Sequence, residues 1–211
     1  MYMNDNNDYK EDDLNLSVGE EQTETVEKQR KGNGLTYLFA ILFTGTAGWK
    51  QLRRSRLTPE QTAAGCFYPI LALVAACRFA DWFYLPEFNI SETLVKAASI
   101  FASFFFSYFA IQVICRLCFP HEAKSKTETN YFKLVVQYAL SSLALFWLPA
   151  EILPVIEPLT VFLPIWTVFI ITKGVRFLRL PENHKNRCMV TIIVATVVTP
   201  YFFTWLCEKI L

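Results

Sequence analysis

Between Cys66 and Leu211 the chain carries five long apolar runs, and the connectors between them alternate in charge. Lys50, Arg53, Arg54 and Arg56 precede the first run. The next connector, Leu85 to Ser91, holds Glu87 and neither Lys nor Arg. A basic connector follows with His121, Lys124 and Lys126, then an acidic one with Glu151 and Glu157. The last is basic again, with Arg176, Arg179, Lys185 and Arg187. Basic residues flanking apolar spans stay on the cytosolic side of a membrane. Five crossings are therefore expected, with the N-terminus in the cytosol and the C-terminus outside.

Composition supports a lipid-embedded chain over a soluble one. Of 211 residues 53% are hydrophobic, with 19 Phe and only 7 Gly, and the mean hydropathy is +0.28 despite a polar start. A soluble domain of this size would have to hide that apolar surface, whereas helices in lipid need only satisfy their backbone. The first 30 residues hold nine acids and three bases, a charge of −6, which leaves +7 for the remainder. Positive charge beside apolar spans reflects orientation and anionic headgroups, and no basic patch with interleaved aromatics points to nucleic acid. The start lacks a basic and short apolar signal-peptide pattern, so the first span is expected to direct insertion.

Three regions follow. Residues 1–33 read as a disordered acidic cytosolic tail, because few large apolar side chains offset the entropy of ordering. Residues 34–57 read as an interfacial basic amphipathic segment. The apolar stretch Leu35 to Trp49 would reach roughly 22 Å as a helix, short of a hydrocarbon core of about 30 Å. Trp49, Lys50, Arg53, Arg54 and Arg56 are its expected contacts with lipid or a partner at the inner face. A short or re-entrant span is the alternative. Residues 58–211 form the five-span membrane domain.

Helix starts are marked by capping patterns: Thr58-Pro59-Glu60-Gln61, Asn89-Ile90-Ser91-Glu92 and Ser125-Lys126-Thr127-Glu128. The spans are expected near 65–84, 92–119, 131–148, 159–177 and 188–206. Pro120, Pro149, Pro154, Pro158 and Pro181 punctuate the turns, while Pro69, Pro164 and Pro200 fall within spans and should kink them. Trp82, Trp147 and Trp205 fall at outer ends and Trp49 at the inner one, as headgroup-level indoles would. Trp166 is expected between helices or facing lipid. Small residues four apart (Ala72 and Ala76, Ala98 and Ala102, Ser99 and Ser103) predict that spans one and two pack together.

Few residues offer chemistry. Arg78 and Asp81, three apart in span one, can pair and so reduce the cost of charge in hydrocarbon. With Gln112 and Gln137 they would be the polar lining of a small channel or transporter. Cys115, Cys118, His121, His184 and Cys188 fall at one membrane face and are zinc-ligand types. Cys115 and Cys118 share one helix rather than a tight turn, so the simpler reading is apolar filler with no metal. No hydrolase, phosphate-loop or dinucleotide motif is present, so no enzyme activity and no cofactor are expected.

The layout from Leu35 to Leu211, about four-fifths of the chain, resembles the Yip family of five-span membrane proteins. The residues carrying the resemblance are Gly48-Trp49-Lys50, Tyr68-Pro69, Lys173-Gly174-Val175 and Leu180-Pro181-Glu182. The resemblance implies a non-catalytic scaffold; eukaryotic members bind Ypt/Rab-type GTPases and serve vesicle traffic and membrane shaping. The expected partners are the lipid bilayer, another membrane or cytosolic protein, and a second copy of the chain. The expected location is a bacterial inner membrane, or an ER or Golgi membrane in a eukaryote.

Overall fold

A computed structural model describes residues 33–55, 57–83, 89–118, 126–152, 162–179 and 182–210. All belong to one compact unit, Asn33–Leu211. The acidic tail, Arg56, Glu87, Pro120, His121, Lys124, Pro154, Glu157, Pro158 and Pro181 lie outside the described residues, as do the side chains of Asp81, Cys118, Lys126 and Glu151.

Nearly all of the described residues are helical, with no strand among them. The elements are α1 (Gly34–Thr44), α2 (Thr46–Arg54), α3 (Pro59–Thr62), a π-helical turn (Ala63–Phe67), α4 (Tyr68–Cys77), a 3-10 turn (Arg78–Phe83), α5 (Ile90–Cys118), α6 (Lys126–Ile152), α7 (Leu163–Val175) and α8 (Glu182–Ile210). Four stretches are long and apolar enough to cross a membrane: Pro59–Ala80, Ile90–Leu117, Thr127–Pro149 and His184–Cys207. This is an all-α, multi-pass membrane architecture. The stretch expected as the fourth of five spans holds α7, whose 13 residues give about 20 Å of helix and which is not among these four.

Helix directions follow from side-chain pairs. Gln137 of α6 donates to Pro59 O (3.0 Å) and to Tyr108 Oη of α5 (3.1 Å), while Phe104 of α5 lies against Trp147 of α6 at 5.5 Å between ring centres. Thus α5 runs antiparallel to α6. Phe67 meets Tyr108 and Tyr68 meets Phe105, so α3–α4 also runs antiparallel to α5. Tyr131 of α6 donates to Gly174 O and Phe146 meets Trp166, which makes α7 antiparallel to α6. Trp147 meets Tyr201 at the far end and Lys185 reaches Arg176 O at the near end, so α8 is parallel to α6. Consecutive long segments therefore alternate in direction, with α7 returning the chain between α6 and α8.

Local chemistry explains the starts and breaks. Thr58 and Gln61 form the expected reciprocal cap of α3. Asn89 Oδ1 accepts from Ser91 N–H (3.0 Å), whereas Glu92 turns to Lys96 instead of reaching back. Pro69 has no N–H to return to Gly65 O; just before it Tyr68 N–H reaches Ala63 O, five residues back, and the helix widens into a π turn. Pro164 stands in the first turn of α7, where proline is favoured, rather than inside a span. Pro149 lies within α6, which continues to Ile152 instead of ending at the proline.

The core is centred on α6: Val135, Tyr138, Ala139, Leu140, Leu143 and Ala144 are buried, and Phe67, Leu71, Phe104 and Ile171 pack into the same cluster. Spans one and two do pack together, and α5 packs even more extensively on α8. On α5 the small residues Ser99, Ser103 and Ser107 are buried, whereas Ala72, Ala76 and Ala98 face outward. Each serine donates to the carbonyl four residues back: Val95 O at 2.9 Å, Ser99 O at 2.6 Å and Ser103 O at 2.6 Å. This satisfies the hydroxyls without a partner helix and leaves a narrow face for close approach.

Candidate functional site: a pinned hairpin and its cationic rim

Leu35 to Trp49 does not form one interfacial helix. The chain breaks at Gly45 (φ +52°), the only positive φ among the described residues, and α2 folds back on α1. At Gly48 a Cβ would stand 2.6 Å from Ala40 C and Ile41 N, so only a glycine permits this crossing. α1 buries Tyr37, Leu38 and Ile41, and its first residue approaches span one closely: a Cβ on Gly34 would be 2.9 Å from Cys66 Cβ. Tyr138 of α6 donates to Gly34 O at 3.1 Å. One face of the hairpin is thus packed into the bundle, while Leu35, Phe39 and Phe43 remain exposed on the other.

Trp49, expected at the lipid interface, is 0% exposed. Its indole lies against Gly174 of α7, where a Cβ would come within 2.9 Å of Cζ2, and edge-on to Tyr131 and Tyr138. The reason is the hairpin turn, which points residue 49 inward along with Leu52. Arg53, one turn on, is also drawn in. Its guanidinium makes a bidentate ion pair with Glu128 of α6, donates to Phe177 O at 2.5 Å and stacks over the Tyr131 ring at 4.6 Å. Glu128 accepts a further bond from Arg179 N–H at 3.2 Å. The carboxylate expected to help cap α6 is thus the anchor for an arginine 75 residues earlier. Charge-assisted, two-pronged bonding of this kind fixes geometry as well as adding energy.

Lys50 and Arg54, four apart on the opposite face of α2, remain exposed as expected. Arg176, Arg179, His184 and Arg187 are also exposed. The bonds from Arg53 to Phe177 O, Arg179 N to Glu128, and Lys185 to Arg176 O gather the Lys50–Arg54 group and the 176–187 connector at one end of the bundle. Two basic segments far apart in sequence therefore form one cationic rim around the pin.

The remaining candidates do not converge. Gln137 is committed to Pro59 O and Tyr108, and Gln112 donates to Tyr108 O at 3.4 Å. Arg78 lies 19 residues beyond Pro59 along span one, about 28 Å away as helix, so these groups do not line one cavity. Arg78 instead lines a cleft of about 450 Å³ at the other end, with Glu92, Lys96, Thr204 and Cys207. Sequence reasoning missed this cleft, since its walls come from three distant segments. Cys115 and Cys188 are buried and His184 is exposed; among the described residues no three His, Cys, Asp or Glu side chains are grouped to hold a metal. Trp82 and Trp205 are exposed, Trp147 is partly covered by Phe104 and Tyr201, and Trp166 faces outward against Phe146 and Phe169.

No protein-family model, curated protein or solved structure matches the chain.

Proposed function

We propose that this chain is a non-catalytic membrane organiser that crosses the bilayer five times and presents its cationic rim to the cytosol. The observation that carries the reading is the Arg53–Glu128 pin. It commits one arginine of the basic group to the fold and leaves Lys50 and Arg54 facing outward on a rigid helix. Fixed cations beside apolar spans attract anionic headgroups and acidic protein surfaces. In this reading the N-terminus is cytosolic, the C-terminus is outside, and the membrane is a bacterial inner membrane or, in a eukaryote, ER or Golgi.

The Yip-like reading draws support from one contact. Gly48-Trp49-Lys50 and Lys173-Gly174-Val175, the segments on which the resemblance rests, meet where Trp49 seats on Gly174. A partner-binding scaffold would expose such a rim without needing a polar path through the bundle. The channel or transporter reading is disfavoured by the internal bonding of Gln112 and Gln137 and by their distance from Arg78.

Crosslinking in native membranes, followed by identification of captured proteins and lipids, tests the proposal. Lys50→Glu with Arg54→Glu should abolish capture while the protein stays folded in detergent. Capture of nothing specific by the native chain, or equal capture by the charge-reversed one, refutes it.

A further inference from the structure

The outer side of the hairpin is apolar along α1 and cationic where α2 climbs to the rim. On α1, Leu35, Phe39 and Phe43 recur every four residues, which places them on one stripe, and all three are exposed. The Phe39 and Phe43 rings stack at 6.3 Å between centres with 14° between their planes, so they form one flat apolar plate. The two ends of α1 give its depth. Gly34 lies against Cys66, seven residues inside the apolar stretch Pro59–Ala80 and roughly 10 Å along that helix. At the other end, a Cβ on Gly45 would be 3.9 Å from the Phe169 ring. Phe169 stands eight residues before the Phe177 carbonyl that Arg53 takes, roughly 12 Å along the chain as helix. Both ends of the stripe therefore stand beside apolar helix, below the rim.

Cations border this plate. Gly48 crosses α1 at Ala40, so Lys50, two residues on, and Phe39, one residue before, leave the same crossing. Arg54 follows Lys50 by one turn on the exposed side of α2. Beside the turn at Gly45, Lys173 holds its ammonium 5.1 Å over the Phe169 ring. Neither residues 34–56 nor residues 159–180 contain an Asp or Glu. Glu128, the carboxylate that meets the hairpin, is already taken by Arg53 and by Arg179 N–H.

We propose that the hairpin holds an anionic phospholipid of the leaflet on the rim side, with an acyl chain along Leu35, Phe39 and Phe43 and the phosphate among Lys50, Arg54 and Lys173. The inference rests on the reading of the rim as a cationic surface at the membrane, and it names the partner. The depth of the stripe selects a lipid over an acidic protein, because a soluble protein docked on the rim would leave Phe39 and Phe43 untouched. A lipid engages both parts of the hairpin with one molecule, joining apolar burial to charge attraction as amphipathic segments do on acidic bilayers. Each Lys or Arg beside an anionic surface favours binding about fivefold.

The test uses the full chain in phosphatidylcholine vesicles that contain a photoreactive probe. The probes are phosphatidylglycerol and phosphatidylethanolamine with a diazirine in the same acyl chain, and peptide mapping locates the labels. Phosphatidylglycerol should label the Leu35–Phe43 stripe at least about fivefold more than phosphatidylethanolamine. That ratio should fall as salt rises from about 0.1 M to about 1 M. Phe202, exposed near the far end of α8, should show no such ratio. Lys50→Gln with Arg54→Gln should bring the ratio on the stripe close to one, and Lys50→Arg should keep it. Unchanged labelling by phosphatidylethanolamine in the double variant reports that the hairpin is still folded. Equal labelling of the stripe by the two lipids overturns the inference, and so does a ratio that survives loss of both cations. A protein captured through Lys50 and Arg54 in native membranes would then leave the organiser reading standing, whereas capture of nothing specific would remove both.

Discussion

Removing the Arg53–Glu128 pin should loosen the hairpin from the bundle, and the cost can be estimated from its parts. The two side chains are 19% and 14% exposed, so the pair lies between an exposed bridge worth about 0–1 kcal/mol and a buried one costing about 3–5 kcal/mol to break. Glu128→Ala should then cost about 2 kcal/mol, including the lost bond from Arg179 N–H. Arg53→Ala should cost about 3 kcal/mol, because it also forfeits the bond to Phe177 O and about 0.5–1 kcal/mol of cation–π contact with Tyr131. The double variant should cost little more than Arg53→Ala alone, giving a coupling energy of about 1–2 kcal/mol. Unfolding in mixed micelles, followed by tryptophan fluorescence, measures all three values. Hydrogen exchange over Thr46–Arg54 should rise in each variant if the hairpin is what loosens. A coupling energy within about 0.3 kcal/mol of zero would mean that the pair does not hold α2 in place, since that is the scatter of independent sites.

The glycine at the hairpin turn and the glycine under Trp49 give sharper tests of the same architecture. Gly45→Ala should destabilise by about 1–2 kcal/mol through its left-handed φ, and the same micelle titration would expose the error if it were neutral. Gly174→Ala should cost about 1–3 kcal/mol by overpacking against the indole. Combining it with Trp49→Phe should recover part of that loss, and simple additivity would argue that the two residues do not touch. For orientation, cysteines placed at Arg54 and Lys209 should react with an impermeant maleimide from opposite faces of a sealed vesicle; labelling of both from one face would remove the five-crossing topology.

Part of this architecture could be read directly from the chain because it rests on local rules. The Thr58–Gln61 cap and the start of α5 at Asn89 depend on neighbours within four residues, and the apolar runs depend on composition. The charge alternation also predicted which helix ends share a face. Other features depend on partners far away in sequence. Glu128 carries a plausible local role in capping, and nothing nearby shows that an arginine 75 residues earlier will claim it. Trp49 followed by Lys50, Arg53 and Arg54 reads as an interfacial anchor until Gly45 and Gly48 turn it inward. In the same way, the Ala72 and Ala76 stripe has the spacing of a packing face, but the buried serines of α5 show that the contact was made elsewhere. Spacing identifies a surface that could be close-packed; only the fold selects which one is.

The short α7 and the hairpin are best understood together. At about 20 Å, α7 is shorter than a hydrocarbon core of about 30 Å, and its end is met by neighbouring protein. Here the hairpin stands beside the end of α7. Trp49 covers Gly174, Gly45 approaches Phe169, and Arg53 takes the Phe177 carbonyl that follows the helix. The carbonyls after a helix's last turn have no partner within the helix, and the guanidinium delivered by α2 satisfies the one at Phe177. The segment that looked peripheral in sequence thus completes the backbone bonding where α7 ends. Helical spacing puts Arg53 one turn after the buried Trp49, where it reaches that carbonyl, and leaves Lys50 and Arg54 on the exposed side of α2.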